Sequence, residues 1–363
     1  MKVGDPRGAA VPSHFARFFS LSSSNAISSR RLAQTRRIFL SGIFRMRIDV
    51  IIATYNRAAL LERAVRSVLG ARRLPEFDFT ITVVDNNSAD GTRETIARLA
   101  EESNGRARYL FEPRQGKSYA VNTGVAATNG DAIAFADDDQ VMDDDWLCAI
   151  YQAFADGFDY VTGRVLGEWE VEPQSWPSWF DERLRGPVSI FDGGAERYSH
   201  DEDEARQGFS GGNSALTRVA IETVGGYHAA LGKRSGSFAM NEDGELLTRL
   251  RKAGFRGVYE PRMKVLHRVP RERLTKSYFR RWHCGYGRSM ALIDRLHPKP
   301  VRYWFGVPRF LIRRAVESFP RMIAARLRGD RPRAFEQELN LWFMLGFISG
   351  KIPPMRTGQY RER

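Results

Sequence analysis

The amino-acid sequence predicts an α/β protein built on a mostly parallel sheet with helices on both faces. Two observations carry this. Short apolar, β-branched runs alternate with stretches of helical periodicity in the order β-α-β-α-β-α-β, the pattern of parallel strands joined by helical crossovers. Three of the runs end in polar or acidic residues, at Thr54, at Asp85 and at Asp137-Asp138-Asp139. Sheets of this kind bind their ligands at the carboxyl ends of the strands.

The elements follow in order. Asp49-Val50-Ile51-Ile52-Ala53 is apolar enough for a strand covered on both faces. Thr54-Tyr55-Asn56-Arg57 breaks it, and Leu60, Leu61, Ala64, Val65, Val68 and Leu69 then recur at helical spacing, with Gly70 as the stop. Phe79–Val84 is a second strand ending at Asp85-Asn86-Asn87-Ser88, and Asp90-Gly91-Thr92 opens a helix through Leu99. Tyr109-Leu110-Phe111 is a third strand; Gly116-Lys117-Ser118 opens a helix through Ala126; Ala132-Ile133-Ala134-Phe135 is a strand running into the triplet. Three adjacent carboxylates repel one another, an arrangement that a bound divalent cation stabilises. A solvated acidic turn is the plainer reading of the triplet alone; the convergence of three polar strand ends favours a metal holding a diphosphate. Further on, Leu246, Leu247 and Leu250 place Glu242-Asp243 in the first turn of an amphipathic helix ending at Gly254. Carboxylates favour such positions as caps, and a carboxylate here also suits a general base.

Four segments in this order resemble the family 2 glycosyltransferases: Ile52–Arg57, Val84–Thr92, Ala136–Asp139, and Asn241-Glu242-Asp243 with Leu246-Leu247 and Arg249-Leu250. The resemblance covers roughly residues 46–290. It implies the GT-A fold, a Rossmann-like sheet, with a nucleotide-sugar donor, Mn2+ or Mg2+, and inversion at the anomeric carbon. It also implies roles for residues. Asp85 accepts a hydrogen bond from the base, usually uracil, and Thr54, Tyr55, Asn56, Arg57 and Asn87 flank the nucleoside. Asp139 is the metal ligand, with Asp137 as a further one, and Asp137 or Asp138 faces the ribose. Asp243 is the expected base, with Glu242 the next choice. Lys117 is a candidate donor contact, although the Gly-rich spacing of a phosphate loop is missing; the start of a surface helix explains it as well.

Gly212 and Asn213, within Gly211-Gly212-Asn213-Ser214, match a family segment beneath the sugars, while a tight turn is the plainer account. His267 matches an additional metal ligand of some relatives, although a lone His has no ligand spacing. Arg280-Arg281-Trp282 resembles the end of the Gln-x-x-Arg-Trp motif of processive members, but Tyr278 stands where the Gln belongs. That departure favours transfer of a single sugar, with Arg281 as a diphosphate contact. Trp169, Trp176, Trp179 and Phe180, followed by the acidic run 200–204, are expected on an acceptor-side loop, with core packing as the alternative.

Charge is divided unevenly. The chain is 42% hydrophobic with a net charge of +13, yet residues 47–260 carry −11 and the excess lies in 1–46, 261–300 and 301–363 at +7, +9 and +8. An acidic motif-bearing body does not read as a nucleic-acid groove; the basic C-terminal third, with its Arg-aromatic alternation, reads as contact with an anionic membrane surface. Leu341–Ile348 is apolar but far shorter than the about 20 residues a membrane span needs. Cys148 and Cys284 imply neither a disulfide framework nor a zinc site, as expected in a reducing cytosol. The domains expected are a disordered basic extension over 1–45, a catalytic domain over 46–290 and basic amphipathic helices over 291–363, with Met46 a candidate start.

The sequence thus predicts an inverting transferase, peripheral on the inner face of the cell membrane. It moves one sugar from a nucleoside diphosphate, UDP first, to a hydroxyl of a glycan or lipid-linked glycan in cell-surface polysaccharide synthesis. The alternatives are a metal-dependent nucleotidyltransferase and a catalytically silent glycan- or membrane-binding protein of the same fold.

Overall fold

The computed structural model describes residues 45–200, 210–233 and 240–352. The expected extension over 1–45 and the acidic residues 201–204 lie almost entirely outside them.

The chain divides into two compact units. The first contains the described residues through Glu168, with Ser189–Ala229 and Glu242–Val269. Its parallel half alternates strands and helices: β1 (Met46–Thr54), α1 (Ala58–Gly70), β2 (Phe77–Asp85), α2 (Thr92–Glu102), β3 (Ala107–Phe111), α3 (Lys117–Ala126) and β4 (Ala132–Asp137). Then come β5 (Gln140–Met142), α4 (Trp146–Ala155), β6 (Tyr160–Trp169), β7 (Tyr198–Ser199), β8 (Asn213–Thr217), α5 (Arg218–Val224), α6 (Glu242–Lys252) and β9 (Gly257–Val269). The sheet order is β3-β2-β1-β4-β8-β6-β9-β5, with β7 on β9. β3, β2, β1 and β4 are parallel, β8 pairs antiparallel with β4 and β6, and β5 and β7 pair antiparallel with β9. This is the α/β, mostly parallel architecture of the GT-A fold, extended by antiparallel strands.

The apolar runs form strands here because both faces are covered. Ile48, Val50 and Ile52 of β1 belong to one buried cluster with Leu61, Val65 and Val68 of α1. Ile51, pointing the other way, joins a second cluster with Ala120 and Val121 of α3 and Leu246, Leu247 and Leu250 of α6. Burial on both faces fixes the register, since a one-residue slip would exchange them. That register sets Thr54 opposite Asp85 and Ala53 opposite Asp137, so one sheet edge collects the polar strand ends.

The second unit comprises Trp169–Val188, Ala230–Asn241 and the chain from Pro270 onward. It contains α7 (Lys276–Leu296), a hairpin of β10 (Tyr303–Trp304) and β11 (Val307–Pro308), α8 (Arg309–Leu327) and α9 (Arg331–Lys351). The apolar run at 341–348 packs α9 on α7: Phe343, Met344 and Phe347 are buried, and Gly287 and Gly346 let the two backbones approach so closely that a Cβ on either would collide with the other helix. The tryptophans expected on an acceptor-side loop are half-buried and pack on aromatic neighbours. Trp169 and Trp176 have ring centroids 4.6 Å apart, and Trp179 stands edge-on to Phe279 and Phe335 at 5.2 and 4.8 Å. No described helix is long and apolar enough to cross a membrane.

Candidate active site

The site forms at the carboxyl end of the parallel strands in the first unit. Asp85 ends β2, accepting from the Ser88 backbone N–H at 2.9 Å and from the Tyr109 hydroxyl at 3.0 Å. The loops after β1 and β2 are tied together: Asn56 Oδ1 accepts from Ala89 N–H at 2.7 Å, and Asn56 N–H donates to Ser88 Oγ at 2.9 Å. Asn56 and Asn87 both have positive φ, which asparagine tolerates better than most residues. Tyr55 is exposed beside them.

The acidic triplet divides among three partners. Asp137 pairs with Lys117 Nζ at 2.5 Å. Asp138 is buried and accepts from Thr54 Oγ1 at 2.8 Å and Arg57 at 2.9 Å; the same Arg57 nitrogen reaches Asp139 at 3.0 Å. Burial pushes the Asp138 carboxyl up to about 6, against the pull of Arg57 and with the push of Asp139. Burial likewise opposes the charge on Arg57, but Asp138 and Asp139 outweigh it and hold the guanidinium above its ordinary value. Asp139 also faces His267 of β9, whose Nε2 lies 3.6 Å from Asp139 Oδ1. β5–β9 pairing brings them together, with Gln140 opposite His267.

A carboxylate and an imidazole are hard to borderline donors that suit Mn2+ or Mg2+, and a nucleotide metal takes its remaining ligands from phosphate and water. No group of three or more His, Cys, Asp or Glu side chains able to hold a metal occurs among the described residues. Asp139 and His267 therefore fit the shared ligation of a metal-diphosphate. Asp137, expected beside them, pairs with Lys117.

The second acidic site lies in the first turn of α6. Asp243 accepts the Gly211 N–H at 3.0 Å and the Gly244 N–H at 2.8 Å. Glu242 is buried against a small cavity lined by Lys117, Ser118, Val121, Gly211 and Tyr227. Burial, then Asp243, pushes Glu242 up to about 7 against Lys117. Asp243 is also raised, chiefly by burial, against the two backbone N–H groups and Lys117. Lys117 itself is held above the ordinary lysine value: burial opposes its charge, and Asp137, Glu242 and Asp243 overcome that. Gly212 completes the link, because a Cβ there would strike the Asp137 carboxylate. The segment Gly211-Gly212 thus runs from the triplet to Asp243. A larger groove of about 750 Å³, lined by Arg66, Arg73 and Arg106, lies at the opposite edge of the sheet, by the amino ends of β2 and β3.

One expected donor contact falls elsewhere. Asn213 is fully buried: Oδ1 accepts from Trp146 Nε1 at 2.8 Å, and Nδ2 donates to the carbonyls of Arg164 and Met263 at 2.9 and 3.0 Å. With both ends of its amide engaged, it braces the antiparallel strands. Arg281 is exposed on α7 in the second unit, and its neighbour Arg280 is engaged by Glu338 at 2.7 Å. Conversely, Asn86 and Tyr109 escaped the sequence reading. Asn86 is buried and holds the 112–116 loop through the carbonyls of Glu112 and Arg114 and the N–H of Gly116. Only the amide chemistry of Asn86 directly after a strand hinted at this.

The family model for glycosyl transferase family 2 matches residues 49–225, and that stretch is a family 2 glycosyltransferase domain. Among its relatives, the succinoglycan biosynthesis protein ExoM of Rhizobium meliloti is 27% identical over 257 residues, which cover 69% of this chain and 77% of that protein. The GalNAc(5)-diNAcBac-PP-undecaprenol beta-1,3-glucosyltransferase of Campylobacter jejuni is 31% identical over 127 residues, 34% of this chain and 40% of that one. Other stretches likewise span a third to two fifths of the relatives they match, 33% and 39% in two cases. The mannosyltransferase of Pyrobaculum calidifontis, solved in complex with GDP-Man and Mn2+, shares the fold with a TM-score of 0.55 at 18% identity, over 88% of this chain and 93% of that one. The family match ends at Gly225, before Glu242-Asp243.

Proposed function

We propose that this transferase moves a single sugar from a nucleoside-diphosphate sugar, UDP-linked, to a hydroxyl of a glycan or lipid-linked glycan, with inversion, as a peripheral protein on the inner face of the membrane. The observation that carries it is the Gly211-Gly212 segment: it lies against Asp137 on one side and donates to Asp243 on the other. A donor and an acceptor carboxylate thus share one short stretch of backbone. The sequence departure at Tyr278 supports single transfer. The names of the Rhizobium and Campylobacter relatives support a polysaccharide or lipid-linked acceptor.

In this reading Asp85 selects the base, with its second oxygen steadied by Tyr109. Asp139 and His267 would hold Mn2+ or Mg2+, which when bound would supply Lewis-acid neutralisation of the negative charge on the leaving diphosphate. Asp243 takes the proton from the acceptor hydroxyl as the new bond forms. Its raised pKa makes it a stronger base than an ordinary aspartate. Lys117 keeps Glu242 and Asp243 from being raised further.

Calorimetric titration with UDP, GDP and dTDP, with and without Mn2+, tests the donor half. Binding of one nucleotide that needs Mn2+ and disappears in Asp139→Ala is expected. Binding to none would bring forward the silent glycan- or membrane-binding reading. Release of pyrophosphate from a nucleoside triphosphate would instead identify a nucleotidyltransferase.

A further inference from the structure

The second unit carries a surface that the chemistry of transfer does not use. The β10–β11 hairpin turns through Phe305-Gly306, with φ of 49° and 75°. Such turns favour Asn-Gly or Asp-Gly, because the left-handed backbone disfavours a bulky side chain. Phe305 nevertheless occupies the first position and is fully exposed. Its neighbour Trp304 is half-exposed, with the Arg309 guanidinium 4.4 Å from its ring centroid. An aromatic ring held in unfavourable backbone and pointing into water contributes nothing to folding, so it marks a contact with something else.

The helix that follows has the same character. On α8, Leu311, Ser318, Met322 and Ala325 are buried. Arg314 and Ser318 hydrogen-bond Asn340 of α9, at 2.6 and 3.1 Å, which commits this face to α9. Roughly 120° around the helix, at 3.6 residues per turn, Ile312, Val316, Phe319, Ile323 and Leu327 form a second apolar stripe. Val316 is 68%, Phe319 55% and Leu327 84% exposed. A surface helix of a globular protein has one apolar face; α8 has two, and the second is open. By the same spacing Arg309 and Arg313 border one edge of the stripe and Arg326 the other. The helix as a whole holds five arginines against one glutamate, Glu317.

We propose that the Trp304-Phe305 tip and the outer stripe of α8 are the surface by which the protein rests on an anionic lipid bilayer. The stripe lies in the interfacial plane and the bordering arginines reach to headgroup phosphates, their stems covering apolar surface. The inference rests on the membrane-peripheral part of the proposed function and assigns it to named residues. Charge selects lipid over a second copy of the chain: two-fold pairing would set the same arginines against each other, whereas an anionic leaflet attracts them.

The test is co-sedimentation of the full chain with phosphatidylcholine vesicles, with and without phosphatidylglycerol. The wild type is expected on the anionic vesicles and released by salt. A triple variant, Phe319→Ser with Ile323→Ser and Leu327→Ser, should lower the partition by at least about tenfold. Phe305→Asn should also weaken binding while raising Tm, because asparagine suits the turn; it keeps the test decisive if the triple variant fails to fold. Wild-type binding undiminished in both variants would overturn this assignment and leave the peripheral reading standing. Absence of wild-type binding to either vesicle would overturn both. A wild-type dimer that the triple substitution dissociates would give the stripe to a second copy and overturn it as well. Transfer to a soluble acceptor, measured on the same preparations, reads the catalytic proposal separately.

Discussion

The two acidic sites of the first unit meet the same electrostatic difficulty in opposite ways. At Asp138-Asp139 the repulsion is relieved by side chains, with Arg57 bridging both carboxylates and Thr54 satisfying one of them. At Glu242-Asp243 it is relieved by the backbone N–H groups of Gly211 and Gly244 and by the charge of Lys117. Arg57 is 36% exposed on a long stem and has room to yield to an incoming metal-nucleotide. Backbone amides have no such freedom, so Asp243 keeps one orientation. The contrast matches the proposed division of labour: a site that exchanges its counter-ion with each donor, and a base whose position does not change.

Lys117 is where the comparison breaks most readily, because it pairs with Asp137 and its charge also acts on Glu242 and Asp243. Lys117→Met should lower transfer and move the acid limb of the kcat/KM profile to higher pH, since the lysine holds Glu242 and Asp243 down. A profile that keeps its position, with only the amplitude reduced, would confine Lys117 to Asp137.

Glu242 gives the next effect, on stability. Its folded-state pKa of about 7 stands above the ordinary 4.5, so between those values the folded protein binds more protons than the unfolded one. Stability then falls as pH rises from about 4.5 to about 7. Glu242→Gln removes the buried charge and should raise Tm by a few degrees above pH 7 and hardly at all near pH 5. A Tm difference independent of pH would mean that Glu242 does not titrate in this window. The smallest effect is expected at Tyr109: Tyr109→Phe removes one hydrogen bond to Asp85 and should weaken nucleotide binding by less than about tenfold, with the pH profile of transfer unchanged.

Legibility followed the way each part is held. The parallel half was readable because β1, β2 and β4 are covered on both faces and carry continuous apolar runs. The antiparallel half was not: β9 alternates Glu260, Arg262 and Lys264 with apolar residues and contains Pro261, and β6 runs into the tryptophan-proline stretch, which has no period. Among the site residues, Asp85, the triplet and Glu242-Asp243 announced themselves by position at strand or helix ends. Arg57 was expected at the nucleoside, and its bridge to Asp138 and Asp139 depends on a register more than 80 residues distant in the chain. Asn213 was drawn toward the donor by its glycine neighbours, when its buried amide is spent on Trp146 and two carbonyls. Local pattern reveals which groups end a strand; it does not reveal which loop folds back on them.

The most direct test of the division of labour is Asp243→Asn, assayed for metal-dependent nucleotide binding and for transfer on one preparation. Binding should remain as in the wild type while transfer falls by about 10²–10⁴-fold, the range general-base catalysis supplies. Wild-type turnover in this variant, or loss of nucleotide binding together with transfer, would contradict the account.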